Sequence, residues 1–430
     1  MKKLLKVLKK AKNISAWKVN VSETESCELF YVKQKLETNR ATNVVDYLVT
    51  IYIDENDQRG SSSFTYYPYM SEEEIEEAIK EAVFASKFTL NQFFDIPSPS
   101  DLKIEKSQSN LRKKSFDKLI KNVSEAVFKY DKFKDGYLSA TEIFLYKITQ
   151  HIYNSKGVKI AFTTYRGNIE TIPSWKKKDD EVELYNMIKF SSLDKKDIAK
   201  QIKEALLLSK ARAKARTLKP KKLPEGIKVI IQDEEVEQVF EEIAYQLNYQ
   251  AIYQKMNLFN IGDNVQGDNV TGDKLNLKVV PYYENAMNSS PVDNDGVVLK
   301  EVELIKDGVA KNSFGSYQYG YYLGIKNPTG SVPVMVVKEG EKPFEEMKKT
   351  PYIRCVRFSG MQLDIPSGFI GGEVRLAFYF DGKKEVPVTG FSISGNFHAL
   401  KGSFVFSKET ATRPSYHGPK YIEIKGMEIV

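Results

Sequence analysis

Hydrophobic positions near the start of the chain, Leu4, Leu5, Val7 and Leu8, recur at helical spacing with lysines between them. That pattern predicts a short amphipathic helix. From Glu28 the spacing changes to alternation. "ELFYVKQKLETNR", "YLVTIYID" and "RGSSSFTYY" read as strands. "SEEEIEEAIKEAVFASK" reads as a helix. Ser71 and Glu74 form its capping box, and Ile75, Ala78, Ala82, Val83 and Ala85 mark one face. The same order returns from Glu142: "EIFLYKITQHIYNSKG", "KIAFTTYRG" and "ELYNMIKFSS", then the helical "SLDKKDIAKQIKEALLLSKARAKA". Residues 28–90 and 142–215 are therefore predicted as two copies of a strand–strand–strand–helix unit. The period is too long for a solenoid, so the copies are duplicated subdomains. Between them "IPSPSDLKIEKSQSN" is loop-like, and residues 111–130 form another short amphipathic helix.

The second half has a different texture. "TLKPKKLPEG", Thr217 to Gly226, is a Pro/Lys hinge. "IKVIIQ" is a buried type of strand, and one long helix is predicted from Asp233 to Gln254. Short strands then alternate with the turns "DNDG", "KDG", "NPTG", "PSG" and "DGKK". The predicted fold is α+β. Residues 1–220 form a duplicated domain, and residues 224–430 form a β-rich antiparallel domain around the helix 233–254.

Composition narrows the function classes. The chain has 430 residues with 41% hydrophobic positions, enough for more than one core. The net charge of +7 is spread through interleaved Lys and Glu, without the basic stripe a nucleic-acid partner requires. The nearest cluster, "SKARAKARTLKPKK" from Ser209 to Lys222, suits a helix carboxyl terminus. Lysines interrupt the opening segment too often for an export signal, and a membrane-surface role for it is the lesser reading. No run approaches the ~20 apolar residues of a membrane span. Cys27 and Cys355 form no motif, Cys355 reads as a buried thiol, and the usage suits a reducing cytoplasm. No glycine-rich nucleotide loop precedes a helix. "RGSSSF" has no base spaced to activate a serine. "GDNVQGDNVTGD", Gly262 to Asp273, lacks the carboxylate pattern of a calcium loop and reads as a long turn region.

The turns of the second half carry a resemblance. Asp293–Gly296, Asp307–Gly308, Leu323–Gly324 and Asn327–Gly330 stand in the order and spacing of the TldD/PmbA (TldE) family's D-x-[DE]-G, "DG", "LG" and "PTGN" elements. "VTGFSISGN", Val388 to Asn396, resembles another of its segments. "LPEGIKVIIQDEEVEQVFEEIAYQ" resembles the entry into that family's active-site helix. "ETNRATNVVDYLVTIYIDENDQRGSSSF" resembles its amino-terminal half, so the resemblance covers nearly the whole chain. It implies a system first described as a modulator of DNA gyrase and understood as a two-subunit, zinc-dependent peptidase for unfolded peptides. One subunit type carries HExxxH and a distant Cys. The other, PmbA-like, lacks them and pairs with it. In that family the region matching Gly262 to Asp273 borders the active cavity, which implies a substrate-lining role.

Carried over position by position, the first family His falls on Glu241, the Glu on Glu242, the second His on Gln246, and the Cys near Ser407. A catalytic zinc takes three His, Cys or carboxylate ligands and keeps one position open for water. Gln and Ser are poor replacements. Glu242 matches the general base, but without a metal it has no activated water to work on. The residues also support a plainer reading: Val236, Phe240, Ile243, Leu247 and Ala251 form an apolar stripe, with Glu241, Glu242 and Gln246 on the other side of a structural helix. A metal site rebuilt from His398, His417 and Glu241 or Glu242 is the alternative; His151 lies in a first-half strand. Glu242, Gln246, His398 and His417 are the candidates for lining a substrate cavity. The expectation is a non-metal subunit, with no cofactor of its own and zinc on a TldD-like HExxxH partner, that helps hold unfolded peptides. Its alternatives are a stand-alone peptide-binding or structural homodimer, an active peptidase with a rebuilt site, and a gyrase modulator.

Overall fold

In the computed structural model, which describes residues 1–178 and 180–430, the first half is built on one eight-stranded antiparallel sheet. Its main elements are α1 (Lys2–Lys10), β1 (Ala16–Val32), β2 (Lys35–Glu55), β3 (Gln58–Thr65) and α2 (Glu72–Ser86). They are followed by α3 (Phe116–Val127), β4 (Gly136–Asn154), β5 (Lys159–Lys177), β6 (Asn186–Phe190) and α4 (Lys195–Lys214). β1 and β4 pair at the centre, from Lys18↔Asn154 to Val32↔Ala140. β2–β3 and β5–β6 extend the sheet outward on either side.

Each set of elements thus opens on a helix, and its strands start earlier than predicted. β1 begins at Ala16 rather than Glu28, and Glu142 lies inside β4. The run from Glu28 to Arg40 is a hairpin, turning at Lys33 with φ 55°. The capping box of α2 is present: Ser71 Oγ accepts from the Glu74 amide at 3.1 Å, and Glu74 Oε2 from the Ser71 amide at 2.7 Å.

All four helices cover one face of the sheet. α1 and α2 pack on Val19, Val21, Val49 and Ile51, using Leu4, Val7, Leu8, Ile75 and Ile79. α3 and α4 pack on Leu29, Ile143, Leu145 and Ile169. The apolar face of α1, on which a membrane role would depend, is therefore inside the core. Among the described residues no helix is long and apolar enough to cross a membrane. Because side chains alternate across a strand, Ser26, Tyr146, Thr164, Arg166 and Asn168 point to the opposite face, which none of these helices covers.

The second half is α+β as well, with a nine-stranded and a six-stranded sheet around a large shared core. Most pairings are antiparallel. Three are parallel, among them β7 (Lys228–Gln232) against Tyr352–Asp364, and Val334–Val337 against Tyr416–Pro419. The expected single helix is two: α5 (Glu234–Tyr245) and α6 (Tyr249–Tyr253). Asn248 makes the break. Its side chain caps the Gln250 amide at 2.9 Å, as an amino-terminal cap does, and the Tyr249 amide leaves the helix for the Phe314 carbonyl at 2.7 Å.

The "DNDG" turn joins the halves. Lys18 of β1 pairs with Asp295 at 2.6 Å, and the Asn20 amide donates to the Asn294 carbonyl at 2.9 Å. Val292 packs with Ile152, Val158 and Phe162. Asp293 accepts from the amides of Asp295, Val297 and Ser331. Burial nevertheless pushes its carboxyl up to about 6.

Candidate functional site

Helix α5 presents three kinds of surface. Val236, Val239, Phe240, Ile243 and Ala244 are buried in the core. Glu234, Glu237 and Glu241, spaced three and four apart, share one flank. Glu235, Gln238 and Glu242 share the other, where the Gln238 amide donates to the Met361 carbonyl at 3.2 Å. Early glutamates also suit the positive end of the helix dipole.

The positions matched to a metal site separate into two kinds. Gln246 is 2% exposed, and its Oε1 accepts from the Leu258 amide at 3.0 Å. It therefore holds the chain after α6 and does not line a cavity. Ser407 is 0% exposed. Its Oγ donates to the Glu409 carbonyl at 2.7 Å and accepts from the Tyr421 amide at 3.0 Å. Only Glu241 and Glu242 remain accessible, on different flanks. A neutral carboxamide and a neutral hydroxyl, both engaged by backbone, do not make a zinc donor set. Among the described residues no three His, Cys, Asp or Glu side chains converge as ligands.

The histidines are not gathered with the glutamates into such a set. His398 is exposed on the short helix Phe397–Leu400. His417 is half-buried on the six-stranded sheet. It stacks on Tyr283 at 4.0 Å, with Nδ1 2.9 Å from Thr412 Oγ1. Burial pulls its pKa down, against a small opposing effect of Glu339. The stretch Gly262 to Asp273 packs against the strand that leads to Ser407. Asp273 Oδ2 accepts from the Phe406 amide at 2.6 Å. A Cβ at Gly272 would sit 2.1 Å from the Phe404 carbonyl oxygen, so only glycine fits there. Cys355 is buried, and burial holds its thiol far above the usual range.

The electrostatics of α5 are unusual. Burial pushes Glu235 and Glu237 up to about 7, and the neighbouring Glu241 adds to the effect on Glu237, against Arg413 and Lys189. Glu241 and Glu242 are raised as well, by burial and then by Glu242 and Asp364 respectively. Glu241 is exposed, and its carboxyl is nevertheless raised by the protein around it. Residues of the first half lie near enough to act on this flank: Lys189 of β6 acts on Glu237, and Tyr185 feels both Glu170 and Glu234. The acidic flank of α5 therefore faces the uncovered side of the first sheet. Glu237, Lys189 and Tyr185 were not among the sequence candidates. The three-and-four spacing of Glu234, Glu237 and Glu241 was the available signal.

A raised carboxyl has a definite consequence. Folded Glu237 keeps its proton up to about pH 7, whereas the unfolded chain releases it near its ordinary value of about 4.3. Stability from this group is present at low pH and is lost as pH rises through that interval. Glu423, held low, titrates beneath it. The melting temperature is expected to fall by several degrees between pH 5.5 and pH 8, and Glu237→Gln should flatten that slope. A flat or rising profile in thermal scans, unchanged by Glu237→Gln, would contradict the assignment.

Comparisons with known proteins agree with the fold. Residues 224–430 match the family described as the PmbA/TldA metallopeptidase C-terminal domain. Curated protein sequences yield no match. Among solved structures, TldE from Thermococcus kodakarensis superposes with a TM-score of 0.76 at 15% identity, covering 97% of each chain. A protein of Thermotoga maritima described as a candidate modulator of DNA gyrase gives 0.76 at 16%, covering 100% of this chain and 99% of that one. A Bacteroides thetaiotaomicron protein of the same description gives 0.76 at 15%, covering 99% and 97%.

Proposed function

Since residues 224–430 match the family described as the PmbA/TldA metallopeptidase C-terminal domain, we propose that this chain is a non-metal subunit of a peptidase of that kind. It holds unfolded peptides in extended form while a related chain with an intact HExxxH helix supplies the zinc and the hydrolysis. The observation that carries this reading is the state of Gln246 and Ser407. The family resemblance sets the second His at Gln246 and the Cys near Ser407, and both of these residues are buried and hydrogen-bonded to backbone. Glu242 then has no metal-bound water to deprotonate. The peptide would lie on the uncovered face of the first sheet, beside the acidic flank of α5.

The test is a reconstitution. Alone, the chain should not cleave unfolded peptides; mixed with an HExxxH-bearing relative from the same genome, it should support cleavage. Glu242→Ala here should leave the rate of the mixture nearly unchanged. A working general base would lose on the order of 10²-fold or more. Alanine is the better helix former, so the change should not damage α5. A large rate loss with folding intact would sink the non-catalytic reading. Failure of the mixture to cleave any faster than the relative alone would point instead to a stand-alone peptide-binding or structural protein.

A further inference from the structure

We propose that Arg166, with Thr164 and Asn168 on either side of it, receives the side-chain carboxylate of an extended peptide lying on the uncovered face of the first sheet. This rests on the peptide-holding reading above and adds a preference to it. Thr164, Arg166 and Asn168 occupy successive same-face positions on β5. Each has a buried polar atom without a hydrogen-bond partner: Thr164 Oγ1, Arg166 Nε and Asn168 Oδ1. Buried polar atoms are nearly always partnered in native proteins, so three orphans in a row mark a place completed by something else. Along a strand they span roughly 13 Å, with the repeat of about 6.7 Å that an extended peptide also has.

The kinds of orphan fix the chemistry. Thr164 and Asn168 leave oxygen acceptors buried beside Arg166, which a peptide N–H reaches once those side chains turn outward. Arg166 leaves a charged donor, and its guanidinium fork matches a carboxylate. Burial alone lowers Arg166, with no acid among the contributors. Two acids of this face are already engaged. Glu28 takes Arg40 at 2.5 Å. Glu170 takes the Asn168 amide at 2.7 Å and the Tyr185 hydroxyl at 2.9 Å. The facing acids of α5 interact instead with Lys189, Arg413 and Tyr185. As pH rises past about 7 and Glu237 gives up its proton, they would repel a carboxylate placed against them, which leaves Arg166 as its favoured position.

The experiment is fluorescence anisotropy of the full chain with short unstructured peptides. One carries Glu at its centre and one Gln at that position, each with a free and with an amidated carboxyl terminus. The Glu peptide should bind about tenfold more tightly than the Gln peptide, as a charge-assisted pair in a partly buried site implies, whatever the terminus. Arg166→Met should erase that difference, and Arg166→Lys should restore part of it. Arg166→Met should also melt no lower than the parent, because it removes a half-buried charge that has no hydrogen-bonding or ion-pair partner among the described residues; this check separates lost binding from lost folding. Equal affinity for Glu and Gln peptides, or a preference that survives Arg166→Met, overturns the carboxylate site alone. Dependence on the free terminus but not on Glu overturns it in favour of terminus recognition. No binding of any peptide overturns the peptide-holding reading together with it.

Discussion

Glu423→Ala is expected to cost about 3–5 kcal/mol of folding stability, the range for breaking a buried ion pair from one side. Glu423 is 3% exposed and Lys228 5%. Lys228 Nζ lies 3.1 Å from the carboxylate and Lys342 Nζ 2.9 Å. Lys228 also donates to the Met347 carbonyl. Burial would raise Glu423, but hydrogen bonds from Lys342 and Lys228 together hold its carboxyl below the ordinary value. Burial pulls the Lys228 ammonium down. Without the carboxylate, Lys228 is left charged on a fully buried strand, whereas Lys342 is 32% exposed and can turn to water. Lys228→Met should cost less than Glu423→Ala, since Glu423 would keep Lys342. The double change should recover much of the loss, because a buried pair replaced by apolar groups is often neutral. Chemical denaturation of the three variants reads the order. A Glu423→Ala loss under ~1 kcal/mol, as for an exposed pair, would contradict the burial.

Phe240→Ala should be comparably severe, about 3–5 kcal/mol. The ring is fully buried on α5, edge-on to Phe406 at 5.3 Å and stacked on Tyr416 at 6.1 Å. Those two residues belong to different sheets, so α5 is the element over which both close. The cavity left by alanine would be lined from three sides, which limits collapse. Phe240→Leu should lose markedly less. Equal losses for Leu and Ala in denaturant titrations would mean that the ring does not fill a packed site.

The apolar stripe Val236, Phe240, Ile243, Leu247 and Ala251 was legible in the sequence, and all five are buried. The break between α5 and α6 was not, because the spacing of that stripe continues across it; only Asn248 betrays the new cap. The order of elements in the first half was legible too, but not where β1 begins. Through "VSETES" the side facing the helices carries Glu23 and Glu25, paired with His151 at 3.4 Å and Lys147 at 2.6 Å. This stretch lies between the two helix-covered cores, so hydrophobic alternation disappears although the strand continues. Glu241 and Glu242 were singled out from sequence and do flank the accessible sides of α5. Gln246 and Ser407 were singled out as well, but their backbone partners, Leu258, Glu409 and Tyr421, come from positions that no local pattern connects to them. The influence of Lys189 of β6 on Glu237 of α5 depends on a long-range placement that periodicity does not carry.

The central claim is that the matched metal positions of this chain do not form a zinc site. Elemental analysis of the purified full chain, after equilibration with zinc and dialysis, tests it most directly. No stoichiometric zinc is expected. One equivalent of zinc per chain, lost on Glu242→Ala or Glu241→Ala, would contradict it.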